Sequence, residues 1–157
     1  ENLNKKNKRN VLIKLFPSQE NGLLKKIWRR KFKNNVNFAE TFSKKNKYYE
    51  SRVVILNAIS TPLYELMYTG TPFIIITDNK FNEFQTKFAK DLLQLTKMNI
   101  LHRDPAKAAK FINDNYDKIA DWWQLVSKNK NFVNFKKTLF FKKKDYLSSI
   151  TKTLTTI

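Results

Sequence analysis

Cysteine is missing from this chain, and histidine occurs once, at His102. A disulfide framework, a cysteine nucleophile and a zinc site of the usual Cys/His kind are therefore excluded, because each needs thiols or clustered imidazoles. Glycine is nearly as scarce, at 2 residues. Phosphate loops of the dinucleotide and P-loop types are excluded with it, since both need several positions where backbone meets phosphate without a Cβ. Acids are few as well: Asp+Glu 13 stand against Lys+Arg 31, a formal net charge of +18. No apolar run is long enough to span a bilayer, and nothing resembles a secretory signal. The expected location is cytoplasmic.

What is present fits one ordinary core. With 157 residues, 41% hydrophobic and 14% aromatic, the chain lies within the usual size of a single domain. A basic excess of this size commonly marks contact with nucleic acid, anionic lipid or phosphorylated substrates. Only Arg9, Arg29, Arg30, Arg52 and Arg103 are arginines, however. Base reading leans on bidentate Arg, and a Lys, Asn, Ile and Phe excess is what AT-rich coding produces, so much of the charge is compositional. The chain starts at Glu1 rather than Met, and its first ten residues, ENLNKKNKRN, are polar and basic. They read as a solvated lead-in or linker within a longer protein.

Short apolar runs alternate with helical patterns. Val11 to Phe16 reads as a strand closed by Pro17, Gly22 to Phe32 as a basic helix with Leu24, Ile27 and Trp28 on one side, and Val36 to Ala39 as a weak strand. Val53 to Ala58 is a buried-type strand, Pro62 to Tyr68 a helix, and Phe73 to Thr77 a continuous apolar strand of the kind found in parallel sheets. A helix from about Glu83 to Lys97 and a short strand at Asn99 to His102 follow. Asp104 and Pro105 then read as N-cap and first residue of one long helix, whose apolar positions Ile112, Tyr116, Ile119, Trp123 and Val126 step by four and three. Alternating strands and helices imply an α/β fold with a parallel sheet flanked by helices, Rossmann-like over residues 11–127, with a basic aromatic helical segment over 128–157.

In such folds ligands bind beyond the carboxyl ends of the strands. The strand Val53 to Ala58 delivers the chain to Ile59-Ser60-Thr61, and Pro62 suits a first helical position with Thr61 as N-cap. Two readings are open. In one, Ser60 and Thr61 only cap the helix, a stabilisation of about 1 kcal/mol. Glu65 is then an ordinary first-turn acid, one residue too late for a capping box. In the other, free N–H groups and the hydroxyls hold a phosphate, and Glu65 accepts a hydrogen bond from a sugar hydroxyl.

The combination S-T-P-L-Y-E, T-G-T-P and an apolar strand resembles the donor-binding half of GT-B glycosyltransferases. Together with VLIKLFP, ESRVVI, NILHRDPAKAA, IADWW and NF, it resembles the carboxyl-terminal part of a bacterial group described as surface-carbohydrate biosynthesis transferases, over roughly Val11 to Phe135. More distant relatives, the polysialyltransferases and glycerol-phosphate polymerases, carry K-x-H-P at a strand end. Here Lys14 and Pro17 match, while Phe16 stands where the His would be, which removes histidine chemistry at that point. The resemblance implies that Lys14, Ser60 and Thr61 face a nucleotide phosphate and Glu65 the ribose. It implies transfer of a sugar from a nucleotide-sugar to a surface glycan or lipid-linked acceptor, without a metal or other cofactor. Lys14 would stabilise the leaving phosphate. The acceptor site and catalytic base would come from an amino-terminal domain outside this chain, leaving the chain inactive alone.

The HRD at His102 to Asp104 is not a kinase catalytic loop: Pro105 follows at once and no glycine loop or DFG accompanies it. His102 itself reads as a solvated strand-end residue, or as a ligand contact at the carboxyl edge. Trp123 reads as core and Trp122 as packing on the C-terminal segment. Lys128 to Lys144, interleaved with Phe132, Phe135, Phe140 and Phe141, suits contact with an anionic membrane surface at the inner leaflet. The alternative function is a non-enzymatic basic module that binds RNA or anionic lipid, with Ser60, Thr61 and Glu65 purely structural.

Overall fold

The computed structural model describes residues 2–15, 22–32, 37–39, 48–77 and 82–139, with backbone alone for 82–89. Phe16, Pro17, Phe140 and Phe141 lie outside the described residues. The order is α1 (Lys5–Arg9), β1 (Leu12–Ile13), α2 (Leu23–Lys31), β2 (Asn37–Phe38), β3 (Val54–Leu56), α3 (Thr61–Thr69), β4 (Phe73–Ile76), α4 (Asn82–Lys97), β5 (Leu101–His102), α5 (Pro105–Asn115), a 3-10 turn (Tyr116–Lys118), α6 (Ile119–Lys128) and α7 (Lys130–Leu139).

All described pairings are parallel, in two groups. β1 pairs with β2, and β3, β4 and β5 form a sheet in that order. The fold is thus α/β, Rossmann-like, with parallel strands flanked by helices and further helices at the carboxyl end. β4 is central because Phe73, Ile74 and Ile75 carry no polar group and are fully buried, as a strand covered on both faces requires.

On one face, Phe73 and Ile75 meet Leu63, Leu66 and Met67 of α3, Leu92 and Leu95 of α4, Trp123 and Val126 of α6, and Phe132 and Phe135 of α7 in one cluster. Phe73 sits edge-on to Trp123 at 5.0 Å, an arrangement that suits the ring quadrupoles. Ile74 points to the opposite face, where α5 packs on β4 and buries Ala108, Ala109 and Ile112.

Several expectations change. The long helix is broken by the 3-10 turn at Tyr116–Lys118. There the Asn115 side chain donates to the Phe111 carbonyl at 2.8 Å, competing with the backbone ladder, and Arg52 donates to the Tyr116 carbonyl at 3.2 Å. Phe132 and Phe135, expected on a membrane face, are instead buried against the core. Trp122 turns to Phe111, at 5.1 Å edge-on, and donates its indole N–H to the Met98 carbonyl at 3.1 Å. The polar amino-terminal segment is tied to α5. Asn113 Oδ1 accepts from the Asn4 amide at 3.0 Å and from the Asn7 side chain at 3.1 Å, and Asn113 Nδ2 donates to the Asn2 carbonyl.

Candidate functional site

The carboxyl ends of β3, β4 and β5 lie along one edge because all three strands run the same way. Register places Leu56 beside Ile75, Ile75 beside Leu101, and Ile76 beside His102. Beyond these pairs lie Asn57 to Ser60 leading into α3, Thr77 after β4, and Arg103 and Asp104 leading into α5. The Thr77 amide donates to the His102 carbonyl at 3.1 Å, which holds the two strand ends together.

Two helices start at this edge with different terminal chemistry. At α5, Asp104 is the N-cap and its Oδ1 accepts the Ala106 amide at 2.8 Å. A carboxylate therefore already occupies that positive helix end. At α3 the N-cap is Ser60, one residue earlier than expected, with Thr61 and Pro62 as the first two helical residues. Proline is tolerated at either place, since the first amides have no helical partner. Ser60 makes no side-chain capping bond, and the first turn holds no acid. This end of α3 thus keeps its positive character, with the half-buried Ser60 and the exposed Thr61 beside it.

Glu65 lies one turn into α3 with its side chain exposed, and its carbonyl accepts from Thr69 Oγ1 at 2.9 Å. Ser60, Thr61 and Glu65 thus share one helix start. Gly70 ends α3 in the left-handed region, at φ 74°, which favours a residue without Cβ.

His102 stands at the same edge but is buried rather than solvated. Its Nε2 lies 2.9 Å from the Asn99 carbonyl. A carbonyl only accepts, so Nε2 carries the proton and Nδ1 the lone pair. Burial pushes the His102 pKa below its ordinary value, partly opposed by the Asn99 hydrogen bond, and keeps the ring neutral at pH 7. Phe111 covers it at 5.9 Å between centroids.

Lys14 follows β1, in the separate two-stranded group, and is exposed. Its Nζ lies 4.6 Å from the ring centroid of Tyr48, a cation–π contact in the turn ahead of β3. The sheet pairing therefore joins His102 to the Ser60–Thr61 edge but does not by itself join Lys14 to it. Among the described residues no three His, Cys, Asp or Glu side chains group as a metal site would need.

What sequence reasoning missed at this edge is the contrast between the two helix starts. The Asp104-Pro105 signal was visible, but a serine that leaves its cap bond unmade has no signature in the chain.

A family model described as LIC12162 family transferase matches residues 1–154. No curated protein and no solved structure matches the chain.

Proposed function

The chain belongs to the LIC12162 family of transferases, and on that premise we propose that it binds the nucleotide-sugar donor of a glycosyl transfer to a surface glycan or lipid-linked acceptor. The observation that carries this reading is the open amino-terminal end of α3, with Ser60 unengaged as a cap and no acid in the first turn. At the neighbouring α5 start the same place is taken by Asp104. An anion that seeks a helix end on this edge is therefore repelled from α5 and accepted at α3.

In this reading Ser60 and Thr61 donate to the donor's phosphate and Lys14 adds a charged donor. Glu65 has a different partner. It repels an anion, so it accepts instead from a neutral ribose hydroxyl. During transfer the bond from the sugar's anomeric carbon to the phosphate oxygen breaks, and the electron pair leaves with the nucleotide, where Lys14 stabilises the growing charge. The acceptor hydroxyl forms the new bond, and its proton passes to a base supplied by an amino-terminal domain of a GT-B arrangement. No metal is needed in this scheme, because Lys14 and the α3 end supply the positive charge.

A melting-temperature screen of nucleosides, nucleoside phosphates and nucleotide-sugars tests the proposal, since a ligand that binds only the folded state raises the transition by mass action. Phosphorylated nucleosides should stabilise the protein and inorganic phosphate much less. Stabilisation by RNA alone, with no response to nucleotides, would favour a basic binding module instead.

A further inference from the structure

We propose that α2 lies flat on an anionic lipid bilayer, with Leu23, Leu24 and Ile27 in the headgroup boundary and Lys26 and Arg30 on the lipid phosphates. The inference is independent of the donor site and concerns a different face.

α2 (Leu23–Lys31) reads LLKKIWRRK, five cations and no acid in nine residues, and none of its residues is buried. One side is already used. Lys25 and Arg29, one turn apart, cover the Phe38 ring of β2 at 5.5 and 5.7 Å, which attaches the helix to β2 by that flank. Trp28 leans on Phe32 at 5.6 Å. At 100° per residue, Leu23, Ile27 and Leu24 fall on the flank away from Lys25 and Arg29. They are 72%, 48% and 36% exposed. Lys26 and Arg30, both exposed, border this strip on one side, while Lys31 within it lies over the Phe32 ring at 5.9 Å.

The pairing of chemistries selects the occupant. An aliphatic strip bordered by long cationic side chains buries its apolar part while the charged heads reach outward to the surface. A nucleic acid would use the cations and leave Leu23 and Ile27 in water. Charge complementarity points the same way, because a chain of net charge +18 is drawn to an anionic leaflet. The nine residues span about 13.5 Å, too short to cross a bilayer but suited to lying in its plane. The apolar face of α7 is unavailable for this role, since Phe132 and Phe135 are in the core.

The test is co-sedimentation of the whole chain with vesicles of phosphatidylcholine, alone or mixed with phosphatidylglycerol. Binding is expected only to the mixed vesicles and should weaken as salt rises. Leu23→Glu/Ile27→Glu and Lys26→Glu/Arg30→Glu should each lower the partition coefficient by at least about tenfold. Lys107→Glu/Lys118→Glu, which changes net charge equally at exposed positions outside α2, should change it little. Hydrogen exchange on the unaltered chain should show slowed amides within 23–31 when mixed vesicles are added. Equal binding to neutral vesicles would overturn the proposal. So would an equal loss in the Lys107/Lys118 variant, no slowing at 23–31, or RNA binding without lipid binding.

Discussion

The indole N–H of Trp123 donates to the carbonyl of Gly70 at 2.6 Å, which fastens the end of α3 to α6 across 53 residues of chain. The same ring packs edge-on against Phe73 and Phe132, at 5.0 and 5.4 Å. Trp123→Phe keeps most of the aromatic contact and leaves the Gly70 carbonyl unpaired. A loss of about 1–3 kcal/mol in urea unfolding is expected. Nucleotide affinity should be unchanged, because Gly70 is at the far end of α3 from Ser60.

Asn113→Ala should be the costlier of two changes near the amino terminus. Asn113 makes three hydrogen bonds to Asn2, Asn4 and Asn7, and Asn7 is buried. Its removal is expected to destabilise by about 1–3 kcal/mol and to speed hydrogen exchange over residues 2–10. Asp117→Asn removes contacts to Lys6 at 3.1 Å and Arg52 at 3.6 Å that are largely solvated, so its cost should stay below about 1 kcal/mol.

His102 predicts a pH dependence of stability. Burial depresses its folded-state pKa below the ordinary 6.5, so the unfolded chain takes up a proton first as pH falls. The stabilisation from the neutral ring is complete above the unfolded value. It declines as pH drops below 6.5 and is exhausted at the folded pKa. Urea unfolding at about pH 7.5 and about pH 5.5 should show a larger loss for the native chain than for His102→Gln, because only the native chain carries this linkage. Equal losses would show that His102 does not carry this pH dependence.

Much of the α/β pattern was legible because it rests on local chemistry. The run Phe73 to Thr77 has no polar side chain before its terminal threonine, so a buried central strand was the reading it allowed. Asp104 before Pro105 marked a helix start, and Asp104 caps it. Less legible were features set by distant partners. The heptad-like steps from Ile112 to Val126 continue in phase across the break at Tyr116–Lys118, and the contacts from Arg52 that accompany the break lie 64 residues away in sequence. Phe132 and Phe135 looked free for a membrane because nothing local shows Phe73 and Trp123 waiting for them. His102 looked solvated because Phe111, which covers it, arrives on the next helix. At the candidate site the residue types were readable, but the division of the described strands into two parallel groups, with Lys14 in one and Ser60 in the other, was not.

Ser60→Asp separates stability from binding. A carboxylate at the cap of α3 would do there what Asp104 does at α5, and should stabilise the fold by about 0.3–1 kcal/mol. The same charge should exclude a second anion, weakening phosphorylated ligands by at least about tenfold. Melting temperature and nucleotide titration should therefore move in opposite directions. A stabilised variant with unchanged nucleotide affinity would place the phosphate elsewhere.

We propose one phosphate site shared by Lys14 and the start of α3, with a separate hydroxyl contact at Glu65. Calorimetric titration of the native chain, Lys14→Ala and Glu65→Gln with nucleoside, nucleoside monophosphate and nucleoside diphosphate separates the two contacts. Lys14→Ala should weaken the two phosphorylated ligands by about 1.5–3 kcal/mol, the worth of a charged hydrogen bond, and leave the nucleoside nearly unchanged. Glu65→Gln should weaken all three. A Lys14→Ala protein that loses all three ligands equally, or none of them, would show that Lys14 does not hold the phosphate.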